Sequence, residues 1–286
     1  MVEQMSPADM LVYFVREREA IRQNKEDYNR EAPWTEDPIL REYRFCNVRR
    51  EDDRVTRWIA DNWRKPNKGD PDLWFAMVVA RFINWPPTLM RIGYPVPWDE
   101  GNFLAGMADM QASGRKVYTS AYMITSNKDW QGKPKQLYLA TIQFTPLWKA
   151  RDGLRPRPGD TLTSWHMTIG AFYDLGSFMA AQIVADLKYV DPHLLAAPDW
   201  HTFAASGPGS RRGLNRVLER RVDSPWQEDA WRQELGRLRD WLNGRLKWAE
   251  PLHAQDVQNC LCEFDKYARV RAGWRPRARY SHHVYA

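Results

Sequence analysis

The sequence predicts a mainly α-helical fold. Helix-start signals recur along the chain, with Ser or Asp in front of Pro, and the apolar residues after them repeat at helical spacing. The alternation of strands and helices that builds a parallel nucleotide-binding sheet is missing from the pattern. With 286 residues, 43% of them hydrophobic, the chain is long enough to bury a substantial core.

The N-terminal part gives the clearest helices. Ser6 is the expected cap of the first, with Pro7 at its first position, and Asp37 is the expected cap of the second, in front of Pro38. Residues 70–85, "DPDLWFAMVVARFINW", predict a buried helix that stops before two prolines.

Residues 117–125 are rich in β-branched and aromatic types and predict a strand or an extended loop. A helix is expected from about residue 134 to 148. The run 151–160, "RDGLRPRPGD", is the clearest break in the chain. We therefore expect an N-terminal helical lobe at 1–150 and a C-terminal lobe at 151–286, with one integrated domain as the alternative.

Helices also dominate the second lobe. The helix over residues 225–245 places Trp231, Leu235, Leu238 and Leu242 on one side. The expected helices of this lobe are 161–172, 177–189, 210–221, 225–245 and 253–270.

Several classes of protein are excluded. Cys46, Cys260 and Cys262 lack the spacing of a zinc site, and no metal is assigned. The sequence contains no GxxxxGK[ST] phosphate loop, no GxSxG elbow and no HExxH helix. It also lacks an apolar run of targeting or membrane-spanning length, so we expect a cytoplasmic protein.

Part of the net charge of +6 lies in the C-terminal stretch 266–286, where basic residues alternate with aromatic rings. This mixture suits a phosphate backbone and exposed bases. Arg275 and Arg277 are therefore expected to contact DNA.

Residues 173–189, "YDLGSFMAAQIVADLKY", predict a tight turn followed by a helix rich in small residues. The pattern resembles the helix-hairpin-helix element of DNA repair glycosylases, and Gly176 and Ser177 would meet a DNA phosphate at the helix start. A plain packed hairpin is the alternative. Gln182 and Asp186 lie one turn apart and predict a polar stripe that faces a site.

A second glycine-rich start, "GPGSRRGL", follows at residues 207–214. Exposed N–H groups, the helix dipole and two guanidinium groups suit an anion, and an ordinary loop with a capping serine is the alternative. The residues expected to bind DNA here are Gly207, Gly209, Ser210, Arg211 and Arg212.

The last predicted helix carries Asp256, Asn259, Glu263 and Lys266 at i, i+3, i+7 and i+10, and hence on one face. A surface ion pair is one interpretation. Because apolar residues flank Glu263, a buried carboxylate that acts as a general base is the other.

The segment at 42–59, "EYRFCNVRREDDRVTRWI", is unusually dense in charge, and such a run is commonly a solvated helix face. Together with three other segments it resembles the alpha-glutamyl/putrescinyl thymine pyrophosphorylase family, which includes the helical domain of phage 5-hydroxymethyluracil DNA kinases and the amino acid:DNA transferases. The four matching segments are residues 33–59, 175–189, 207–214 and 258–270.

The resemblance implies a two-lobed helical fold related to helix-hairpin-helix glycosylases. It also implies a role in thymine hypermodification, in the host cell if the chain is phage-encoded. Since the sequence has no P-loop, the implied activity is that of a stand-alone transferase. This enzyme displaces the phosphate or pyrophosphate of a flipped 5-(pyro)phosphomethyluracil in double-stranded DNA with an amine. Glycine is the favoured donor, and glutamate and putrescine stay open.

The resemblance also implies site roles. Arg44, Arg50 and Arg54 would neutralise the leaving phosphate, and Asn47 and Asp53 would complete the pocket wall. Glu263 or Asp186 would accept a proton from the amine. Gln182, Asn259 and Lys266 would bind substrate.

No cofactor is firmly implied, although Mg²⁺ accompanying a pyrophosphate is compatible with the reaction. Two rival functions remain: a glycosylase that uses Asp191 or Asp199, and a non-catalytic DNA-binding partner of a hydroxymethyluracil DNA kinase.

Overall fold

The computed structural model describes residues 5–119, 133–173 and 175–275, and within these ranges the chain forms fifteen α-helices and no strand. The fold class is therefore mainly α, as the sequence predicts. In chain order the helices are α1 Pro7–Arg22, α2 Pro38–Glu42, α3 Arg54–Ile59, α4 Leu73–Ile83, α5 Pro86–Ile92, α6 Glu100–Ala112, α7 Lys135–Tyr138, α8 Thr145–Lys149, α9 Arg151–Leu154, α10 Leu162–Gly170, α11 Gly176–Leu187, α12 Pro192–Leu195, α13 Pro208–Val217, α14 Glu228–Leu246 and α15 Ala254–Arg271.

Local capping chemistry sets the helix starts. The Ser6 hydroxyl accepts the Asp9 N–H at 3.1 Å, and the Asp37 carboxylate accepts the N–H groups of Ile39 and Leu40. Both predicted caps are confirmed. A side chain in these positions satisfies a backbone donor that the helix itself leaves unpaired.

Wider π-helical turns extend some of these helices, at Gln23–Asp27, Ala60–Arg64 and Leu139–Phe144. The last of these joins α7 to α8, so the helix expected at 134–148 is present as one continuous stretch. Of the stretch 117–125, residues 117–119 are irregular and the remainder lies outside the described residues.

The chain divides into two compact units. Residues 1–53 and 201–286 form one, here called the terminal unit, and residues 54–200 form the central unit. This division does not coincide with a boundary at 151–160, because residues of that run bind residues both before and after it within the central unit. Arg155 binds Asp72 through two hydrogen bonds of 2.8 Å, and the Trp165 indole donates to the carbonyl of Leu154 at 2.9 Å.

The core of the terminal unit forms between α1, α13, α14 and α15. Phe14 is at its centre, with ring centroids 5.6 Å from Phe45, 6.0 Å from Phe264 and 5.2 Å from Tyr267. The predicted apolar side of α14 is confirmed, since all four of its residues are buried: Trp231, Leu235, Leu238 and Leu242.

Glycines allow α13 to pack closely against α15. A Cβ atom at Gly213 would lie 2.7 Å from the carbonyl carbon of Leu261 and closer still to its oxygen. At Gly209 the added atom would lie 2.6 Å from the sulfur of Cys262. Both glycines therefore serve contact between helices.

The central unit is built around α4, which is buried along its whole length, as its unbroken apolar sequence predicts. Phe75 of this helix packs edge-on against Trp98 and Phe144. Next to it, α10 and α11 form a helical hairpin, in which a Cβ atom added at Gly170 would lie 3.4 Å from the Cβ of Ala180. Gly176 has φ +65°, a left-handed value that glycine adopts without strain.

Candidate functional site

The charged segment at residues 44–50 lies along the polar face of α15 in the terminal unit. The Lys266 ammonium group donates to the carbonyl oxygen of Arg44. Glu263 Oε2 accepts the backbone N–H of Cys46 at 3.1 Å. These two side chains also pair with each other, at 3.5 Å between Nζ and Oε2.

Two further residues of the same face, nearer the start of α15, also bind backbone groups of the segment. The Asn259 amide donates to the carbonyl oxygen of Asn47 at 3.0 Å, and Asp256 Oδ1 accepts the backbone N–H of Arg50 at 3.3 Å. Each step back along α15 meets a later residue of the segment. The segment therefore runs antiparallel to the helix, and the four polar residues of the face bind its main chain.

Further contacts fix the segment from other directions. Arg18 of α1 is buried and donates to the carbonyl oxygens of Phe45 at 2.7 Å and Cys46 at 3.2 Å. Asp53 Oδ1 accepts the backbone N–H of Asn47 at 3.1 Å. Together these bonds hold an irregular stretch of backbone in one conformation.

The segment is not a solvated helix face. Tyr43, Phe45 and Val48 are buried, whereas Arg44, between the first two, and Arg50, two residues after Val48, are half-buried. The alternation arises because the backbone here is extended or irregular, so neighbouring side chains point in different directions. Two guanidinium groups are thereby carried on a fixed backbone.

Glu263 combines a structural contact with an available oxygen. Its side chain is 15% exposed, and among the described residues only Oε2 has a hydrogen-bond or ion-pair partner. The Glu263 carboxylate, followed by desolvation, raises the pKa of the Cys46 thiol well above its ordinary value. The Glu263 carboxylate therefore acts electrostatically on the segment at Cys46.

Asp186, the other predicted proton acceptor, lies in the central unit and is fully buried. Arg81 binds both of its carboxylate oxygens, through Nε at 2.6 Å and through Nη2. Arg64 approaches at 3.8 Å. This is the geometry of a structural ion pair, with both oxygens already engaged.

The other predicted residues of the central unit belong to α3 and to the α10–α11 hairpin. Arg54 begins α3 and is exposed, and Gln182 is half-buried on α11. Gly176 and Ser177 start α11, and the Ser177 carbonyl lies 2.9 Å from Nε2 of His166.

The residues of the glycine-rich start at 207–214 have partners inside the terminal unit. Ser210 is fully buried, and its hydroxyl accepts the N–H of Gly207 at 2.9 Å, as the capping alternative predicts. Arg211 pairs with Glu228 at 3.0 Å, and Arg212 pairs with Asp265 at 2.9 Å.

Residues 266–271 of the expected basic tail are part of α15, and Tyr267 is buried with its hydroxyl 2.7 Å from Asp37. The helix predicted at 253–270 therefore includes most of these residues, although their basic and aromatic composition suggested a tail. Arg275 is exposed, and Arg277 lies outside the described residues.

Asp191 and Asp199, which a glycosylase interpretation would use, both bind backbone groups. Asp191 caps α12, and Asp199 accepts the N–H groups of Leu162 and Thr163 at the start of α10. Within the described ranges no three His, Cys, Asp or Glu residues are grouped to hold a metal ion. No helix in those ranges has the length and apolar character needed to cross a membrane.

Three arginines of the described residues are buried and were not indicated as site residues by the sequence: Arg18, Arg64 and Arg81. Arg18 continues the apolar stripe of α1 one turn after Phe14, and Arg81 interrupts an otherwise apolar helix. A single arginine at a position where helical spacing predicts a buried side chain indicates a hydrogen-bond or ion-pair partner, because burial of such a charge requires one.

The described residues form a helical domain, and the family whose model matches them takes its description from a DNA kinase. The chain belongs to the family described as "5-hmdU DNA kinase, helical domain", whose model matches residues 6–275. This confirms the resemblance inferred from the four segments.

Among individual proteins, the chain is similar to the 5-hmdU DNA kinase of Bacillus phage SP10, at 26% identity over 230 residues. The match covers 73% of this chain and 36% of the relative, so the chain spans little more than a third of that protein's length. No solved structure matches the chain significantly.

Proposed function

We propose that this chain is a transferase of phage thymine hypermodification. It acts on double-stranded DNA that carries phosphorylated 5-hydroxymethyluracil and replaces the phosphate or pyrophosphate with an amine. The observation that carries the proposal is the pair of half-buried arginines, Arg44 and Arg50, on a backbone fixed by α15 beside Glu263. Membership of the 5-hmdU DNA kinase helical-domain family supplies the substrate class.

Transfer is favoured over phosphorylation by the residues present. The relative's printed name describes a kinase, an activity that requires a site for the phosphates of ATP as well as one for the base. Guanidinium groups, by contrast, recognise a phosphate that is already attached to the base, because their planar fork matches its oxygens.

In the proposed reaction the lone pair of the amine attacks the 5-methylene carbon of the base. The bond from that carbon to the phosphate oxygen breaks, and the phosphate leaves with the bonding electrons. Arg44 and Arg50 stabilise the charge that develops on the leaving group, a contribution of about 10²–10³-fold per donor in other enzymes. Before this attack, Oε1 of Glu263 accepts the proton that the ammonium group of the donor must lose to become a nucleophilic amine.

The modified base has to leave the duplex to reach these groups, since its 5-substituent cannot meet a half-buried carboxylate inside the stack. The α10–α11 hairpin is the proposed contact to the DNA backbone, through Gly176 and Ser177 at the start of α11. Glycine is the favoured donor, with glutamate and putrescine as alternatives. A Mg²⁺ ion on a pyrophosphate leaving group is compatible with this scheme.

The decisive experiment incubates the full chain with DNA containing phosphorylated 5-hydroxymethyluracil and a mixture of amino acids and polyamines. Mass spectrometry of the digested nucleosides then identifies donor and product together. A nucleoside with a new C–N bond supports the proposal. Abasic sites would instead establish a glycosylase, and tight DNA binding without any product would establish a non-catalytic partner.

Glu263→Gln tests the proposed base. Glutamine retains an oxygen that accepts the Cys46 N–H, so DNA binding and thermal stability should be kept. Transfer should fall by about 10²–10⁴-fold, because the amide cannot take a proton. The matched control is Glu234→Gln on α14, where the carboxylate pairs with Arg237. Full turnover by Glu263→Gln would remove this residue from the mechanism.

A further inference from the structure

A buried carboxylate in the terminal unit is surrounded by three arginines. Asp265 of α15 has a side chain that is only 1% exposed. Arg212 and Arg216 of α13 each donate Nε to one of its oxygens at 2.9 Å, and Arg269 approaches with Nε at 3.3 Å. These residues lie one turn apart on their helices, so all three guanidinium groups meet at one point.

The charges at this cluster do not balance. Three arginines and one aspartate leave a net charge of +2. Nε is the nitrogen through which each guanidinium group pairs with Asp265, and none of the Nη groups has a hydrogen bond to a described residue. The arginine side chains are 31%, 25% and 36% exposed, so their outer edges reach solvent while the carboxylate does not.

This geometry is suited to an anion with several oxygens. A guanidinium group anchored by one edge keeps its remaining N–H groups in a fixed plane, and such groups bind phosphate oxygens in pairs. Because Asp265 already orients the arginines, little side-chain entropy is lost when a ligand arrives. Trp274, 44% exposed, stacks on Arg269 at 4.1 Å and supplies an aromatic surface at the edge.

We propose that Arg212, Arg216 and Arg269 form a phosphate-binding site, oriented by Asp265, that takes one phosphodiester of duplex DNA. The choice of DNA rests on the proposed function. The site differs from the loop at 207–210 and from Arg211, whose guanidinium group is engaged by Glu228. It also lies on a different side of α15 from the face that binds the 44–50 segment, because Asp265 is out of register with that i, i+3, i+7 pattern.

The test removes the excess charge and leaves Asp265 one partner. The double variant Arg212→Gln/Arg269→Gln reduces the cluster to a neutral Arg216–Asp265 pair. Binding of unmodified duplex DNA is measured by fluorescence anisotropy over a range of salt concentrations. The slope of log K against log [salt] should fall by about 0.9, the value for one phosphate contact. Affinity should drop about tenfold, the order of change that one phosphate implies at moderate salt.

The matched control is Arg237→Gln/Arg245→Gln, which makes the same change in net charge at two exposed positions of α14. Its slope should equal that of the wild type. Equal slopes for the two double variants would overturn the site. If the first variant melts early, Arg269→Gln alone serves, because Arg212 and Arg216 still hold Asp265; an unchanged slope in it would also overturn the proposal.

Two sources of phosphate are distinguished by a second titration. Inorganic phosphate and pyrophosphate are added to the wild type and to the double variant, and the shift in melting temperature is measured. If the variant loses the response to free anions but keeps its DNA slope, the DNA assignment is wrong. A wild-type protein that binds no DNA at all would instead contradict the proposed function, so the two failures are separable.

Discussion

Glu263 and Asp186 carry the same chemical group, and their surroundings give it different uses. One oxygen of Glu263 binds the backbone of the charged segment, and the other has no partner among the described residues. Both oxygens of Asp186 are held by Arg81 in a fully buried position. The number of engaged oxygens therefore distinguishes Glu263, the proposed proton acceptor, from Asp186, both of whose oxygens belong to a buried ion pair.

Asp186→Asn tests this distinction. Loss of the charge leaves Arg81 buried without its anion, so the free energy of unfolding should fall by about 3–5 kcal/mol. Urea denaturation followed by circular dichroism measures the change. An Asp186→Asn protein of normal stability that no longer transfers an amine would instead assign catalysis to Asp186.

The thiol of Cys46 reports the charge of Glu263. The carboxylate disfavours a thiolate beside it and so raises the thiol pKa. In Glu263→Gln the pKa should fall, and alkylation of Cys46 at pH 8 should accelerate by about tenfold for each pH unit of that fall. Peptide mass spectrometry after timed iodoacetamide treatment measures the rate. An unchanged rate would show that Glu263 does not set the electrostatics of this segment.

At the scale of helices, the closeness of α13 and α15 depends on glycine. A methyl group at Gly213 would overlap the backbone of Leu261, which cannot move aside as a side chain can. At Gly236 of α14, by contrast, an added Cβ atom would meet nothing within 4 Å. Because both glycines lie inside helices, a comparison of the same substitution at the two positions distinguishes an effect of packing from an effect of helix propensity.

We therefore predict opposite effects for two identical substitutions. Gly213→Ala should destabilise the protein by at least about 1–3 kcal/mol through overpacking. Gly236→Ala should stabilise it by about 0.5–1 kcal/mol, because alanine loses less backbone entropy in a helix. Thermal unfolding of both variants provides the comparison. Stabilisation by Gly213→Ala would mean that α13 is not packed tightly on α15.

Helix positions could be predicted because their signals are local. Ser6 and Asp37 cap helices through bonds to residues two or three positions away, and the apolar side of α14 repeats within one turn. The polar face of α15 could also be predicted, from the spacing of its residues. The segment that binds this face could not be predicted, because the bond from Cys46 to Glu263 joins residues 217 positions apart and no pattern along the chain encodes it.

At the scale of the whole chain, the run rich in Gly and Pro at residues 151–160 does not mark the boundary between the two compact units. Residues 151–160 look like a linker, yet Arg155 reaches back to Asp72 within the same unit. The actual division brings the first and last parts of the chain into one unit. Contacts at such separation depend on tertiary packing, which composition does not reveal.

For the whole chain, we predict that the basic residues after Arg275 increase the affinity of the protein for DNA. A chain that ends at Arg275 lacks Arg277 and Arg279 but keeps all of α15, including Arg269. The slope of log K against log [salt] should fall by about 0.9 for each phosphate that the shortened chain no longer binds. Anisotropy with unmodified duplex DNA measures it. Identical slopes for the full and shortened chains would exclude these residues from DNA binding.

The bond between the 44–50 segment and α15 has a consequence for biosynthesis. The ribosome releases the arginine-bearing segment long before it makes Glu263 and Lys266, whereas the central unit uses only residues 54–200. The central unit can therefore fold before α15 is synthesised, whereas the 44–50 segment gains these bonds only after α15 has emerged from the ribosome. A nascent protein thus carries Arg44 and Arg50 on a backbone that α15 does not yet hold, and any message truncated before α15 yields a product in which that backbone is never held.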